Sequence, residues 1–288
     1  MVGVRRMLRG CGRTLATYHP RMSAHTFLQG TLAELARAAR RALAGWWGIV
    51  RLAAQLLEMV LSPSTYSGEN WRNLARHMVQ DTAPMLAGFT VLTTLISLIV
   101  IRIVVVTAVS YGLTQYALEM VVRVLVLELI PLTAVLFAAL RCTIPNAAEV
   151  TAMRAQGAWE AAARAGQDPL RREVLPRVAS GVFSALLLAA VSCAVTLVLA
   201  YLAVYGAASS GLEAYTRTVG HIFNPAVSLI LGLKILFLGV AVALVPMAAV
   251  LDDTPTQRRQ ASAELQGVVR MFLVILLIEA ASLVGNYY

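Results

Sequence analysis

Charge is scarce in this chain. Asp, Glu, Lys and Arg make up 14% of its 288 residues, against about 25% in an ordinary soluble domain. Lysine is almost missing: all but one of the 24 basic residues are arginine, and the exception is Lys234. That excludes a nucleotide-binding P-loop, which needs a Gly-Lys pair, because the lone lysine follows Leu233. The three cysteines, Cys11, Cys142 and Cys193, are far apart. Without a C-x-x-C or a Cys/His cluster, no disulfide framework and no metal site is expected, and they read as inert apolar residues. His19, His25, His77 and His221 lie outside the apolar runs. The close carboxylate pair Asp252-Asp253 reads as a helix-end loop, so no catalytic constellation emerges and the chain is not expected to be an enzyme. Arg5, Arg6, Arg9 and Arg13 are not followed by an apolar core, so the start is not read as a signal peptide.

Hydrophobic residues dominate instead. They make up 59% of the chain, and the mean hydropathy is +0.72. Five long apolar runs stand at about 84–110, 113–140, 178–205, 226–251 and 268–284. A helix needs roughly 20 apolar residues to cross the hydrocarbon, so an all-α polytopic membrane protein with five transmembrane helices is expected. Residues 1–25 are basic and irregular and are expected to be flexible. In 26–61 apolar residues recur at helical spacing, from Leu28 and Leu32 to Val50 and Leu57, but Arg37, Arg40, Arg41 and Arg51 interrupt them. So many charges forbid a spanning helix. An amphipathic helix in the membrane interface fits, with Trp46 and Trp47 at headgroup depth; a surface helix of a soluble region is the alternative. Segment 26–83 is read as this helix and its connection to the first span.

Arginine orients the spans. Many arginines precede the first run and another group lies in 141–177, whereas the loop between the first two runs has none. By the positive-inside rule the N-terminus and 141–177 are cytoplasmic and the C-terminus lies outside. The net charge of +9 then belongs to cytoplasmic loops and anionic headgroups. A nucleic-acid partner is not expected, because the arginines are scattered.

Several charges fall inside or near the ends of the spans: Arg102, Glu119, Arg123, Glu128, Lys234 and Glu279. A charge at mid-bilayer costs at least about 2.5 to 3.5 kcal/mol, so each should face a partner or a cavity. Glu119 and Arg123 are four apart and can pair along one helix face. Arg102 either lines a cavity that accepts an anionic headgroup or pairs with Glu119 or Glu128. Lys234 either contacts a ligand or is the buried partner of Glu128 or Glu279.

Segment 141–177 leaves the bilayer yet keeps a dense pattern. Asn146 is suited to cap a helix, with Glu149 at the third position as in a capping box. An Ala-rich stretch to Arg164 follows, with Gly166 as a plausible C-cap and Pro169 as a stop. A short helix held between two spans is how a membrane subunit takes a push from a motor domain; a plain structured loop is the alternative.

At these residues the chain resembles the MlaE/YrbE permease subunits of MCE-type lipid ABC transporters. The family's R-E-L-G-P-like motif corresponds to Leu127-Glu128-Leu129-Ile130-Pro131. Its A-E-x-G-x-M-R is matched by Ala148-Glu149 and Met153-Arg154, after Arg141. Its V-D-P-L-R-R…P-R is matched by Asp168-Pro169-Leu170-Arg171-Arg172 and Pro176-Arg177. Lys234 between Gly232 and Gly239, and the ending Ser282…Gly285-Asn286, also suit the family.

The resemblance covers roughly 73–286 and implies a permease domain over 84–288. It implies a homodimer in the bacterial inner membrane, bound to a cytoplasmic ABC ATPase that carries ATP and Mg, and to an MCE-domain protein on the periplasmic side. No cofactor is expected in this chain itself. The cargo would be a lipid, phospholipid above all. Arg102, Glu119, Arg123, Glu128 and Lys234 are the candidates for the lipid cavity. Glu149, Met153, Arg154, Glu160, Arg164, Asp168, Arg171 and Arg172 are the candidates for coupling to the ATPase, on a coupling helix over 146–164. The chain departs from the family at Ala155-Gln156-Gly157-Ala158, where the family usually has an acidic residue, and Gly157 would weaken the helix. A divergent structural subunit that assembles without coupling is therefore the alternative.

Overall fold

The computed structural model describes residues 24–62, 68–113, 116–166, 168–206, 209–251 and 257–287. The basic start and Asp252-Asp253 lie outside them. Eight helices can be followed among the described residues, and no strand: α1 (Ala24–Leu61), α2 (Gly68–Ser110), α3 (Ala117–Ala155), α4 (Ala158–Arg164), α5 (Leu170–Tyr205), α6 (Leu212–Ile222), α7 (Pro225–Leu251) and α8 (Gln257–Tyr287). In hydrocarbon every backbone polar group must be satisfied within its own segment, and a helix does this. Five stretches are long and apolar enough to span: Leu74–Ser110, Ala117–Ala155, Leu170–Tyr205, Pro225–Leu251 and Leu265–Asn286. The protein is an all-α, multi-pass membrane protein.

The helices outrun the apolar runs. The predicted spans 84–110, 113–140 and 178–205 are the oily parts of α2, α3 and α5, because hydropathy marks the membrane and not the helix. The 39 residues of Ala117–Ala155 extend for about 58 Å, well beyond the ~30 Å of hydrocarbon, so α3 carries its last turns out of the bilayer.

Three stretches within these helices are π-helical: Val122–Leu129, Ala139–Thr143 and Leu170–Val174. Each stops two residues short of a proline, at Pro131, Pro145 and Pro176. A proline inside a helix offers no N–H and crowds the carbonyl four residues back, and a widened turn relieves both faults.

Chain contacts divide the molecule into Met1–Ala44 and Gly45–Tyr288. Within the second unit, Leu52 and Leu56 of α1 are buried against Val150 of α3, Val174 and Val178 of α5, and Met247 of α7. On the opposite side of α1, Trp47, Leu57 and Leu61 are exposed. Two apolar faces on one charged helix suit a helix lying between protein and lipid.

α2 runs along α5, and α7 packs against both α5 and α8. Small hydroxyl residues pair across the first of these contacts. Thr82 Oγ1 meets Ser184 Oγ at 2.6 Å, Ser192 donates to Thr93 at 3.4 Å, and Ser97 meets Thr196 at 2.9 Å. Without a hydrophobic drive between helices, close approach of small residues is what holds spans together. Gly181 shows how close: a Cβ there would sit 2.7 Å from Thr143 Cγ2 and 3.2 Å from Ala243 Cβ. Large apolar side chains such as Leu95, Ile99, Phe237 and Leu276 point outward, as a lipid-facing surface requires.

Candidate functional site

One polar assembly lies within the spans. The π-helical stretch of α3 turns Glu128 inward, α7 brings Lys234 and α8 brings Glu279. Lys234 is 2% exposed. Its ammonium donates to the Glu128 carboxylate, to Glu279 Oε1 at 2.9 Å and to the Leu127 carbonyl at 3.1 Å. Three N–H donors thus meet three acceptors, which a buried lysine requires. Asn286 Nδ2 donates to the other Glu128 oxygen at 3.4 Å. Lys234 is nine residues into α7, and Glu279 is eight residues from the end of α8; that is about 12 to 14 Å of helix. The cluster therefore lies inside the spans, toward the end of α8, where Asn286 closes it.

A second assembly ties the emerging end of α3 to α5. Arg177, 8% exposed, donates to Glu173 Oε2 at 2.6 Å and to the Glu173 carbonyl at 2.8 Å. Its Nη2 reaches Glu149 at 3.5 Å and the Met153 sulfur at 3.9 Å. Beside it, Asp81 Oδ2 of α2 accepts from Ser180 Oγ at 2.5 Å and from Asn146 Nδ2 at 3.2 Å. Arg154 donates to the Val250 carbonyl near the end of α7 at 2.6 Å, and its guanidinium lies 5.9 Å from the centre of the Trp159 ring. That ring belongs to α4, a two-turn helix in which no residue is buried.

The structure corrects several expectations here. Asn146 is not a helix cap: α3 passes straight through it, and the side chain is spent on Asp81. The expected coupling helix over 146–164 is two pieces. Gly157, at φ +72, ends the first and opens α4, and a left-handed residue there costs glycine nothing. Gly166, at φ +74, ends α4 as expected. Pro169 does not stop a helix; it leads into α5, where Asp168 Oδ1 accepts from the Leu170 N–H at 3.0 Å. A proline at a helix start sacrifices no donor.

The charges sort themselves accordingly. Glu119 and Arg123 pair with each other at 2.9 Å along α3. Arg102 reaches neither Glu119 nor Glu128. It is exposed on α2 and bonds to no described residue. Lys234 takes both Glu128 and Glu279. Of the coupling candidates, Glu149 and Met153 meet Arg177, and Arg154 grips α7. Glu160, Arg164, Asp168 and Arg172 are exposed and Arg171 is half-buried. Arg164 Nε bonds the Glu160 carbonyl at 3.2 Å, and Arg172 lies 3.9 Å from Glu173.

Sequence reasoning missed Asp81, Ser180 and Glu173, whose partners come from distant helices. Arg177 stood in a quoted motif without a role. It also missed α6, where burial pushes the Tyr215 phenol above its ordinary range, and the phenol donates to the Leu197 carbonyl at 2.9 Å.

This arrangement holds charges within the spans and an exposed helical tip at one end, with no converging nucleophile and base among the described residues. Residues 74–284 match the family model described as Permease MlaE. The chain belongs to the MlaE permease family. Among curated proteins none matches it. As an MlaE permease it is the membrane permease of a lipid ABC transporter, a class in which an ATPase supplies the energy. The match covers both polar assemblies apart from Asn286, so Glu128, Lys234, Glu279 and the α3–α4 tip belong to the MlaE permease domain.

Proposed function

We propose that this MlaE permease moves phospholipid between the inner membrane and the periplasm, as one of two identical copies. A separate ABC ATPase would bind at the α3–α4 end, and an MCE-domain protein at the opposite end. The observation that carries the reading is α4. A helix with no buried residue, tied through Trp159 to the half-buried Arg154 beside the Arg177 contacts of α3 and α5, is a surface built to be gripped. The arginine excess of 141–177 supports a cytoplasmic position for it, and with it a cytoplasmic N-terminus and a periplasmic C-terminus.

Arg154 and Trp159 join the tip to α7, and α7 carries Lys234. From Val250 to Lys234 is about 24 Å of continuous helix. A push on α4 would therefore reach the charged cluster along α7, which holds Pro246 between the two points, and ATPase closure would shift the population of open and closed cavities. The Glu128–Lys234–Glu279 cluster lines the lipid path in this reading, with Glu119 and Arg123 farther along α3. Arg102 faces the surrounding lipid or the second copy.

The test is purification from native membranes with mass spectrometry of the retained proteins and lipids. The expected result is an ABC ATPase, an MCE-domain protein and phospholipid. Isolation without any nucleotide-binding subunit would sink the reading. The break at Gly157 favours one competing function, a structural subunit that assembles without coupling. Alanine at Arg154 and Glu160 separates the two: lipid transport should fall if the tip couples, and stay unchanged if it does not.

A further inference from the structure

The buried cluster within the spans does not balance its charge. It holds two carboxyl groups, Glu128 and Glu279, against one ammonium, Lys234, whose three N–H groups are already committed to Glu128, Glu279 and the Leu127 carbonyl. The oxygens can be counted one by one. Glu128 uses both, one on Lys234 and one on Asn286. Glu279 uses Oε1 on Lys234, while its Oε2 is sealed from solvent and has no partner among the described residues. Two more sealed oxygens without partners, Ser282 Oγ and Asn286 Oδ1, follow on the same face of α8 at successive turns. Ser282 is 8% exposed.

Other charges do not repair the deficit. Glu119 and Arg123 neutralise each other along α3. Arg102 points outward from α2. Arg270 of α8 lies against Gly45, where its guanidinium occupies the space a Cβ would take. α5 brings no charged residue between 178 and 205. An uncompensated charge at this depth is strongly unfavourable, and so is a sealed acceptor without a donor.

We infer that the Glu128–Lys234–Glu279 cluster is a binding site for one proton per protomer, held on the free oxygen of Glu279 while the helices are closed. A proton is the cation that fits a sealed oxygen without parting the helices. It leaves one carboxylate facing one ammonium, and it turns Glu279 Oε2 from a sealed acceptor without a donor into a donor. When the helices part and water enters, the reason to hold the proton disappears and it is released. Closing and opening therefore take up and release one proton, whatever lipid passes.

The folded, closed protein then binds one proton more than the unfolded chain at neutral pH. Its stability must fall as the pH rises through the point where that proton leaves. Infrared spectroscopy of the purified protein in lipid nanodiscs tests the site. A C=O stretching band of a protonated carboxyl is expected at neutral pH. Glu279→Gln should abolish it. So should Glu128→Gln, because either substitution leaves a balanced pair that needs no proton. The thermal midpoint of the wild type should fall from neutral to alkaline pH, and that of Glu279→Gln should fall less. A wild-type spectrum without the band, a band that survives either substitution, or equal pH dependence of the two midpoints overturns the inference. Should the variants fail to fold, the wild type decides by titration: a band lost over the same alkaline range in which the thermal midpoint falls supports the site, and no band, or a band lost without that fall, overturns it.

Discussion

Single residues carry the polar chemistry here, and burial decides how much each matters. Lys234 is the anchor of the buried cluster within the spans, so Lys234→Met leaves two carboxyl groups facing each other. Removing one partner of a buried ion pair costs about 3 to 5 kcal/mol. Thermal unfolding in detergent should show this loss, whereas the exposed pair Glu213–Arg217 should be replaceable without a measurable change. Gly181 acts through space alone. A valine there must displace Thr143 and Ala243, with an overpacking cost of about 1 to 3 kcal/mol. Its unfolding midpoint should drop, while Gly232, which has open space around the position of a Cβ, should accept alanine freely.

At the scale of elements, proline and glycine placement explains the departures from plain α-helix. Pro131 widens the turns before it, and Glu128 sits on the widened stretch. Gly157 bends the chain between α3 and α4 by adopting the left-handed conformation. An L-residue there is strained by about 1 to 2 kcal/mol, so Gly157→Ala should favour one straight helix. The tip would then point elsewhere. The expected outcome is reduced stimulation of the partner ATPase with little change in the unfolding midpoint. Equal stimulation would show that the bend is not needed for coupling. The same bend explains why helix propensity misled the sequence reading: the Ala-rich surroundings promote helix, and one glycine overrides them.

For the whole molecule, orientation is the decisive property. With Cys11 replaced by serine, the remaining native cysteines are shielded: Cys142 is buried and Cys193 half-buried. A cysteine introduced at Glu160 should then react with an impermeant maleimide only after the cytoplasmic face is opened. Labelling of intact cells would place the α3–α4 tip outside, and the ATPase would have nothing to hold.

The sequence by itself determined the class of the protein, the five spans and the register of its motifs, because hydrophobic length and turn-forming residues are local signals. It also marked Glu128, Lys234 and Glu279 as charges in need of partners. What it left open was the pairing. Whether Lys234 met one carboxylate or two depended on how α3, α7 and α8 rotate against each other, and whether Arg102 turned inward depended on the rotation of α2. Asn146 looked like a cap because capping chemistry is local, yet Asp81, 65 residues earlier, claimed its side chain. Only the tertiary structure decided these contacts: in a membrane the drive for a polar group to find a donor or acceptor acts across helices that are distant in the chain.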